Sequence, residues 1–294
     1  MKTIAVLTDF SERSEHAARY ALNLAQKINA DILLFNAFLV PNDIVPAGQV
    51  AWFLVDYRDV KKDVENRLTD LGRKLEHELK EKSFPGQHRP KISMQCEEGA
   101  LGNAITGLEE DKNIILMVLA THGADDVTAF LMGNNCKQAI DVATIPLLIV
   151  PKDAPIKDIE EFAFATDITY SDVKYISALV SIAKPFSAQI RITNVNPDTP
   201  LDSEHNAAVS LFMNDVDNEV NYDKISYSTI PNDNVKKGLQ WLIENVKFDV
   251  LVMVHRKSSF FEFFYKSSLT KKIAAHTAVP LLVYPYPIPS IPLF

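Results

Sequence analysis

A chain of 294 residues, of which 47% are hydrophobic, is long enough to form two domains of ordinary size. Its formal net charge of -8 at pH 7 argues against a broad electrostatic grip on nucleic acid, and no stretch approaches the roughly 20 apolar residues of a membrane helix. Its two cysteines cannot build a disulfide framework, and Asp9 interrupts the opening apolar run where a signal peptide would continue, so we expect a cytoplasmic protein.

Strand and helix patterns alternate from the start of the chain. An unalternated apolar run at residues 4–8 predicts a strand buried on both faces, and Ser11 is placed to cap the helix that follows. That helix has an apolar stripe formed by Ala17, Ala21, Leu24, Ala25 and Ile28. The other elements predicted in this part are strands at 32–38, 92–96, 114–120 and 146–150, a long amphipathic helix over 61–82, and a helix from about residue 135.

The opening segment recurs later in the chain without a gap. Its residues Asp9, Ala25, Ala30, Ile32 and Asn36 return 158 positions on as Asp167, Ala183, Ala188, Ile190 and Asn194. A closing segment recurs at an offset of 134, so that Lys137, Pro146, Leu147 and Leu148 return as Lys271, Pro280, Leu281 and Leu282. The chain therefore contains two copies of one fold.

Alternation of this kind predicts a parallel sheet with right-handed crossovers and helices on both faces. We expect an α/β protein of two tandem doubly wound domains, each with a five-stranded parallel sheet. The first domain is expected to span residues 1–151 and the second residues 161–286. Residues 152–160 are interpreted as the linker and residues 287–294 as a C-terminal tail.

Ligands of open parallel sheets bind beyond the carboxyl ends of the strands, where the strand order reverses. In the first copy these ends carry Asp9 and the segment over residues 119–135. That segment has Ala120, then Gly123 three positions on, then nine residues before Gly133 and Asn134.

This spacing resembles the ATP-binding loop of the universal stress protein family, in which a Gly, two residues, a Gly and nine residues precede Gly-Ser or Gly-Thr, with an Asp at the end of strand one. The resemblance implies an adenine nucleotide α-hydrolase-like, Rossmann-like fold and the binding of ATP or another adenine nucleotide in the first domain. Asp9 and the backbone near Ala37 would hold the adenosine, and the glycine loop would face the phosphates. The implied nucleotide-binding residues are Thr8, Asp9, Ala37, Ala120, His122, Gly123, Gly133, Asn134 and Asn135.

Two departures from the family pattern predict weak binding. Ala120 places a methyl group where close approach to phosphate is needed, and Asp125 and Asp126 add negative charge to the same loop. The second copy departs further, because Val254, Lys257 and Ser267 stand where the glycines would be. We expect that copy to have lost nucleotide binding.

Other candidate sites have simpler interpretations. Asp9 and Asp167 are each expected to order a strand-to-helix turn, although Asp9 is also a candidate ligand contact. Cys96 and Cys136 are interpreted as small packed side chains. His122 is interpreted as part of the loop framework and not as a catalytic base. No metal site is predicted, since the other histidines, among them His77, His88, His205 and His276, lack ligand spacing.

Aromatic residues fill the loop of the second copy. Two alternatives stay open for this cluster, which comprises Phe260, Phe261, Phe263, Phe264 and Tyr265. Either one face of a short helix fills the cavity left by a lost nucleotide, or Phe261 or Tyr265 is exposed and contributes to a homo-oligomer or to a contact with a protein partner.

Two classes of function remain. The first is a non-catalytic protein of stress response or signalling, with a weak adenine-nucleotide site in the first domain only. The alternative is an enzyme that hydrolyses ATP or transfers its phosphoryl or nucleotidyl group. By the resemblance, the two domains are expected to pair with each other through their last strands, at residues 147–150 and 281–284. No nucleic acid and no membrane is expected as a partner.

Overall fold

The computed structural model describes residues 1–40, 57–82, 88–111, 113–121, 134–197, 203–256 and 279–287. The strands in these residues are β1 (Thr3–Leu7), β2 (Asp31–Phe38), β3 (Ile92–Glu98), β4 (Ile114–Thr121), β5 (Leu147–Pro151), β6 (Glu161–Ala165), β7 (Gln189–Asn196), β8 (Ile225–Pro231), β9 (Val250–His255) and β10 (Leu281–Pro285). The helices are α1 (Glu12–Ile28), α2 (Tyr57–Lys82), α3 (Leu101–Leu108), α4 (Asn134–Val142), α5 (Asp172–Phe186), α6 (Ser203–Glu219) and α7 (Val235–Asn245).

The strands form one sheet in the order β3-β2-β1-β4-β5-β10-β9-β6-β7-β8. All neighbours are parallel within the first half (β1–β5) and within the second half (β6–β10). The halves meet where β5 and β10 pair antiparallel, with Leu148 opposite Leu282. The predicted fold class, two tandem doubly wound units with five parallel strands each, is confirmed.

Two hydrophobic cores cover the two faces of this sheet, because alternate residues of a strand point to opposite faces. Helices α1, α2, α5 and α6 pack on one face, and α3, α4 and α7 pack on the other. Each core continues through both halves. On β1, for example, Ile4 and Val6 belong to the first core and Ala5 and Leu7 to the second.

Some of the helix features predicted from the sequence are present in the structure. Ser11 caps α1, since its side chain accepts a hydrogen bond from the backbone N–H of Ser14. The apolar stripe of α2 is buried and consists of Val64, Leu68, Leu71, Leu75 and Leu79. Helix α3 was not predicted as a separate element. Its two glycines, Gly102 and Gly107, lower helix propensity by about 1 kcal/mol each, which hides it from a propensity argument.

The segment over residues 152–160 is held against both halves. Ala154 is buried and its carbonyl lies 2.8 Å from Nε2 of His16 on α1. Lys157 pairs with Asp249 of the second half at 2.6 Å. The connection therefore contacts both halves of the molecule. None of the described helices combines the length and the apolar character that crossing a bilayer requires.

Candidate functional site

The strand order reverses between β1 and β4, which are neighbours at the centre of the first half. Helix α1 follows β1 on one face, whereas α3 and α4, on either side of β4 in the chain, pack on the opposite face. A crevice at the carboxyl ends of β1 and β4 is the expected ligand position in a sheet of this kind.

A network of hydrogen bonds builds the turn between β1 and α1. The Thr8 hydroxyl accepts from the backbone N–H of Phe10 at 3.0 Å and donates to Oγ of Ser14 at 2.9 Å. Asn36, from the neighbouring strand β2, donates its side-chain N–H to the carbonyl of Thr8 at 2.7 Å. Phe10 takes a left-handed conformation with φ of 63°. The Thr8 hydroxyl thus donates to one group of the protein and accepts from another.

Asp9 orders the same turn while its side chain stays exposed. Its Oδ1 accepts from the backbone N–H of Ser11 at 3.0 Å and also from the Ser11 hydroxyl. Partial burial raises the pKa of Asp9, but these hydrogen bonds and the charge of Arg13 outweigh it and hold the pKa below its usual value. Asp9 therefore carries a full negative charge at neutral pH.

The other predicted nucleotide-binding residues are placed around this edge only in part. Ala37 near the end of β2 and Ala120 near the end of β4 are half-buried. Asn134 and Asn135 begin helix α4, which makes their backbone N–H groups part of its first turn. His122, Gly123 and Gly133 lie outside the described residues.

The second half repeats the turn at the same offset of 158. Thr166 accepts from the backbone N–H of Ile168 at 2.8 Å, and Asn194 donates to the Thr166 carbonyl at 2.9 Å. Ile168 is left-handed as well, with φ of 52°. Asp172 occupies the place of Ser14, and its Oδ2 accepts from the Thr166 hydroxyl at 2.5 Å.

An arginine closes this second turn. The guanidinium of Arg256 forms ion pairs with Asp167 and Asp172, and it donates to Thr169 at 2.7 Å and to Ser171 at 3.1 Å. Asp167, which was expected to order its turn as Asp9 does, instead binds the arginine. A carboxylate that is 1% exposed, such as that of Asp172, needs a cation of this kind to remain charged.

The environment of Asp172 changes its acidity. Burial raises the pKa of Asp172 to about 6, and Asp167 adds to the rise, while the Thr166 hydroxyl and the Arg256 guanidinium oppose it. The carboxyl therefore titrates nearer to neutral pH than an ordinary aspartate. In the first half the equivalent position, Ser14, has no ionisable group.

A pocket of about 340 Å³ lies at the carboxyl edge of β6, β7 and β9, beside Arg256. Its polar lining comes from the turn, and its apolar walls come from the strand ends and helix α7, at Ala165, Val195, Val235, Leu239, Met253 and Val254. Asn194 also lines the pocket, and its Oδ1 has no hydrogen-bond partner among the described residues. Sequence reasoning did not place Arg256 at this turn, because the arginine lies more than 80 residues from its partners. Asp172 at the position of Ser14 was the available signal, because a buried carboxylate calls for a cation.

The remaining candidate residues that lie within the described ranges have ordinary environments. Burial raises the pKa of the Cys136 thiol to about 12, and Cys96 is half-buried. His88 lies 3.1 Å from the carbonyl of Ala30. Within the described ranges no group of three or more histidine, cysteine or acidic residues could hold a metal ion. His276 and the aromatic cluster at residues 260–265 lie outside these ranges.

Known proteins similar to this chain share its fold. A family model described as the universal stress protein family matches residues 1–151. Universal stress protein MJ0531 of Methanocaldococcus jannaschii is 26% identical over 151 residues, which make up 51% of this chain and 82% of that protein.

Two solved structures match nearly the full chain. A universal stress protein from Archaeoglobus fulgidus has a TM-score of 0.65 at 14% identity, and the match covers 96% of both chains. A functionally unknown protein, PA1789, from Pseudomonas aeruginosa has a TM-score of 0.56 at 11% identity, with 97% of this chain and 92% of that chain covered. At these identities the likeness shows the shared architecture across both halves.

Proposed function

The chain belongs to the universal stress protein family, and on this premise we propose that it acts without catalysis in a stress response or in signalling. In this proposal the first half binds an adenine nucleotide weakly and the second half does not. In this proposal the protein responds to whether a nucleotide is bound and does not turn the nucleotide over.

The observation that carries the proposal is the position of the first-half turn. Leu7 pairs with Leu119, so β1 and β4 end side by side at one edge of the sheet. Asp9 stands exposed after the first of these strands, and the glycine-bearing sequence that begins near Ala120 continues from the second. An exposed acidic side chain is suited to ribose hydroxyls, and a glycine-bearing sequence that follows the neighbouring strand is suited to phosphates.

The start of helix α4 supports a phosphate site. Gly133 directly precedes Asn134, the first residue of this helix, and helix N-termini present unpaired N–H groups with a partial positive charge. Glycines at 123 and 133 remove the side chains that would keep a phosphate away from the backbone.

The charge of the first half argues for low affinity. Asp125 and Asp126 lie in the same loop and repel a triphosphate. Ala120 adds a methyl group at the position where the family has glycine. We expect a dissociation constant on the order of 0.1–1 mM for ATP.

The second half lacks the features that support this site. Its only glycine is Gly238, so its loop has no glycine backbone for phosphate. Arg256, which contacts the turn, is already held by Asp167 and Asp172.

Isothermal titration calorimetry of the full chain with ATP and magnesium tests the proposal. We expect one weak site in the unmodified protein and no detectable binding in Gly133→Val, since valine would block the approach of phosphate to the backbone. Gly107→Val is the matched control, because a Cβ at position 107 meets only the Glu97 carboxylate at 3.6 Å. That variant should bind like the parent.

Three results would contradict the proposal. They are ATP turnover above the rate without protein, unchanged binding in Gly133→Val, and two equal sites per chain. The Asp9→Asn variant then tests the ribose side, because an asparagine oxygen can still accept from Ser11 and preserve the turn while the negative charge is removed. Loss of affinity without loss of stability is the expected result.

A further inference from the structure

The second half retains a pocket although it lacks a phosphate loop. The volume of about 340 Å³ falls within the range of small-molecule sites, which runs from about 300 to 1,000 Å³. Three strand ends form its floor, and α7 forms one wall with Val235 and Leu239. Its walls are largely apolar, so they suit a flat ring or another apolar body.

The polar side of this pocket disfavours anions. The terminal nitrogens of Arg256 already donate to Asp167, Thr169, Ser171 and Asp172, so an incoming phosphate would compete with two carboxylates for the guanidinium. The Asp167 side chain is 63% exposed and offers a carboxylate to any ligand. Two carboxylates and one guanidinium leave the turn with a local charge of about -1, which repels phosphate.

The same lining calls for a hydrogen-bond donor. The Asn194 amide is oriented by its donation to the Thr166 carbonyl, and its Oδ1 is left without a partner among the described residues. A buried acceptor without a partner costs about 1–3 kcal/mol, and nearly all such groups in folded proteins are satisfied. A molecule in the pocket that carries an N–H or O–H group would supply the missing donor.

We infer that the second half binds a phosphate-free molecule of nucleoside size, with an apolar ring for the wall at α7 and N–H or O–H donors for Asn194 and Asp167. This site goes beyond the function proposed above, which concerns the first half alone. The two halves would then select ligands of opposite kinds, one by its phosphates and the other by their absence.

The test uses the four common ribonucleosides and their 5′-triphosphates as matched probes, since each pair differs only in phosphate. The protein used in this test is the full chain with the substitution Leu101→Trp. Leu101 and Val235 are the first residues of α3 and α7, so the tryptophan obstructs the position in the first half that corresponds to the second-half pocket. We expect at least one nucleoside to bind this protein by calorimetry. Adding Val235→Trp should weaken that binding by at least about tenfold.

Val235 is a suitable position because its side chain is 47% exposed at the start of α7, so a larger side chain fits without disturbing the core. Asp167→Asn provides a second readout, since asparagine can still accept from Arg256 while one negative charge is lost. The preference for the nucleoside over its triphosphate should fall by about three- to tenfold.

The inference is overturned if none of the nucleosides binds, which is also the result expected if this chain's own residues fill the pocket. Unchanged nucleoside binding after Val235→Trp overturns it as well. So does a triphosphate that binds this pocket as tightly as its nucleoside. Gly133→Val separates this outcome from failure of the first-half proposal, because that substitution acts on ATP binding by the first half alone.

Discussion

The turn between β1 and α1 and the turn between β6 and α5 use the same hydrogen bonds 158 residues apart. In both, a threonine hydroxyl accepts from the backbone two residues on, and an asparagine of the next strand donates to that threonine's carbonyl. Both turns contain one non-glycine residue in a left-handed conformation, at Phe10 and at Ile168. The backbone of this turn is therefore a property of the fold.

The side chains around the two turns make different contacts. Asp9 binds its own helix start, whereas Asp167 binds Arg256. Ser14 is replaced by Asp172, whose buried charge makes that arginine necessary. The charged groups at this edge of the sheet can thus change while the backbone of the turn is preserved. The residues that fold the turn are therefore not the same as those that would select a ligand.

The largest expected effect comes from removing the arginine. Arg256→Leu should lower the free energy of unfolding at pH 7 by about 3 kcal/mol, because it leaves the buried Asp172 carboxylate without a cation. Urea denaturation measures the change. Arg67→Leu is the control in the first half, where the guanidinium stacks 4.2 Å from the centre of the Phe10 ring, and should cost less than about 1 kcal/mol.

A double variant sharpens this comparison. Asp172→Ser installs the first-half residue, so adding it to Arg256→Leu should restore part of the lost stability. Equal losses for Arg256→Leu and Arg67→Leu, or no recovery in the double variant, would mean that the two turns do not differ in their need for a cation.

The second effect is a pH dependence specific to the second half. The pKa of Asp172 is about 6 in the folded protein and 3.8 as an ordinary aspartate, so the unfolded chain releases this proton first. The contribution of Asp172 to stability is therefore fully present below about pH 4 and is lost as pH rises to about 6, at up to about 1.4 kcal/mol per pH unit.

Urea denaturation at pH 4 and pH 6.5 measures this effect as the difference between the unmodified protein and Asp172→Asn. That difference should shift against the unmodified protein by about 2 kcal/mol on going to the higher pH. The difference for Ser14→Ala should change much less, since Ser14 is not itself ionisable and contributes only a minor hydrogen bond to Asp9. A constant difference for Asp172→Asn would show that the carboxyl titrates normally.

The smallest effect concerns the caps of α1 and α5. Ser11→Ala should cost about 1 kcal/mol, because the Ser11 side chain accepts from the N–H of Ser14. Ser171→Ala should cost less than about 0.5 kcal/mol, since Ser171 makes no such cap bond and its hydroxyl serves Arg256 instead. Equal costs by thermal or urea unfolding would contradict the assignment of the caps.

Much of the fold could be predicted from the chain alone, because strands buried on both faces appear as unbroken apolar runs. The run at residues 4–8, for example, became β1 at Thr3–Leu7. Helix α3 was missed, although its Leu101, Ala104, Ile105 and Leu108 have helical spacing, because the two glycines among them weaken the signal.

The candidate sites could be predicted less well, for a physical reason. Motif spacing identifies the first-half loop because its residues are close in sequence. The second-half cluster joins Arg256 to residues 84 to 89 positions away, and a charge pair over such a distance leaves no local pattern. Only the topology, which places β9 beside β6, brings those charges together.

The antiparallel junction of β5 with β10 lies within one chain. An assembly of two separate identical chains dissociates on dilution, and every substitution in it appears twice. Here neither constraint applies, since the two halves are covalently joined and each half has its own sequence. One copy could therefore exchange a serine for an aspartate and acquire an arginine to match it, while the other kept its glycines.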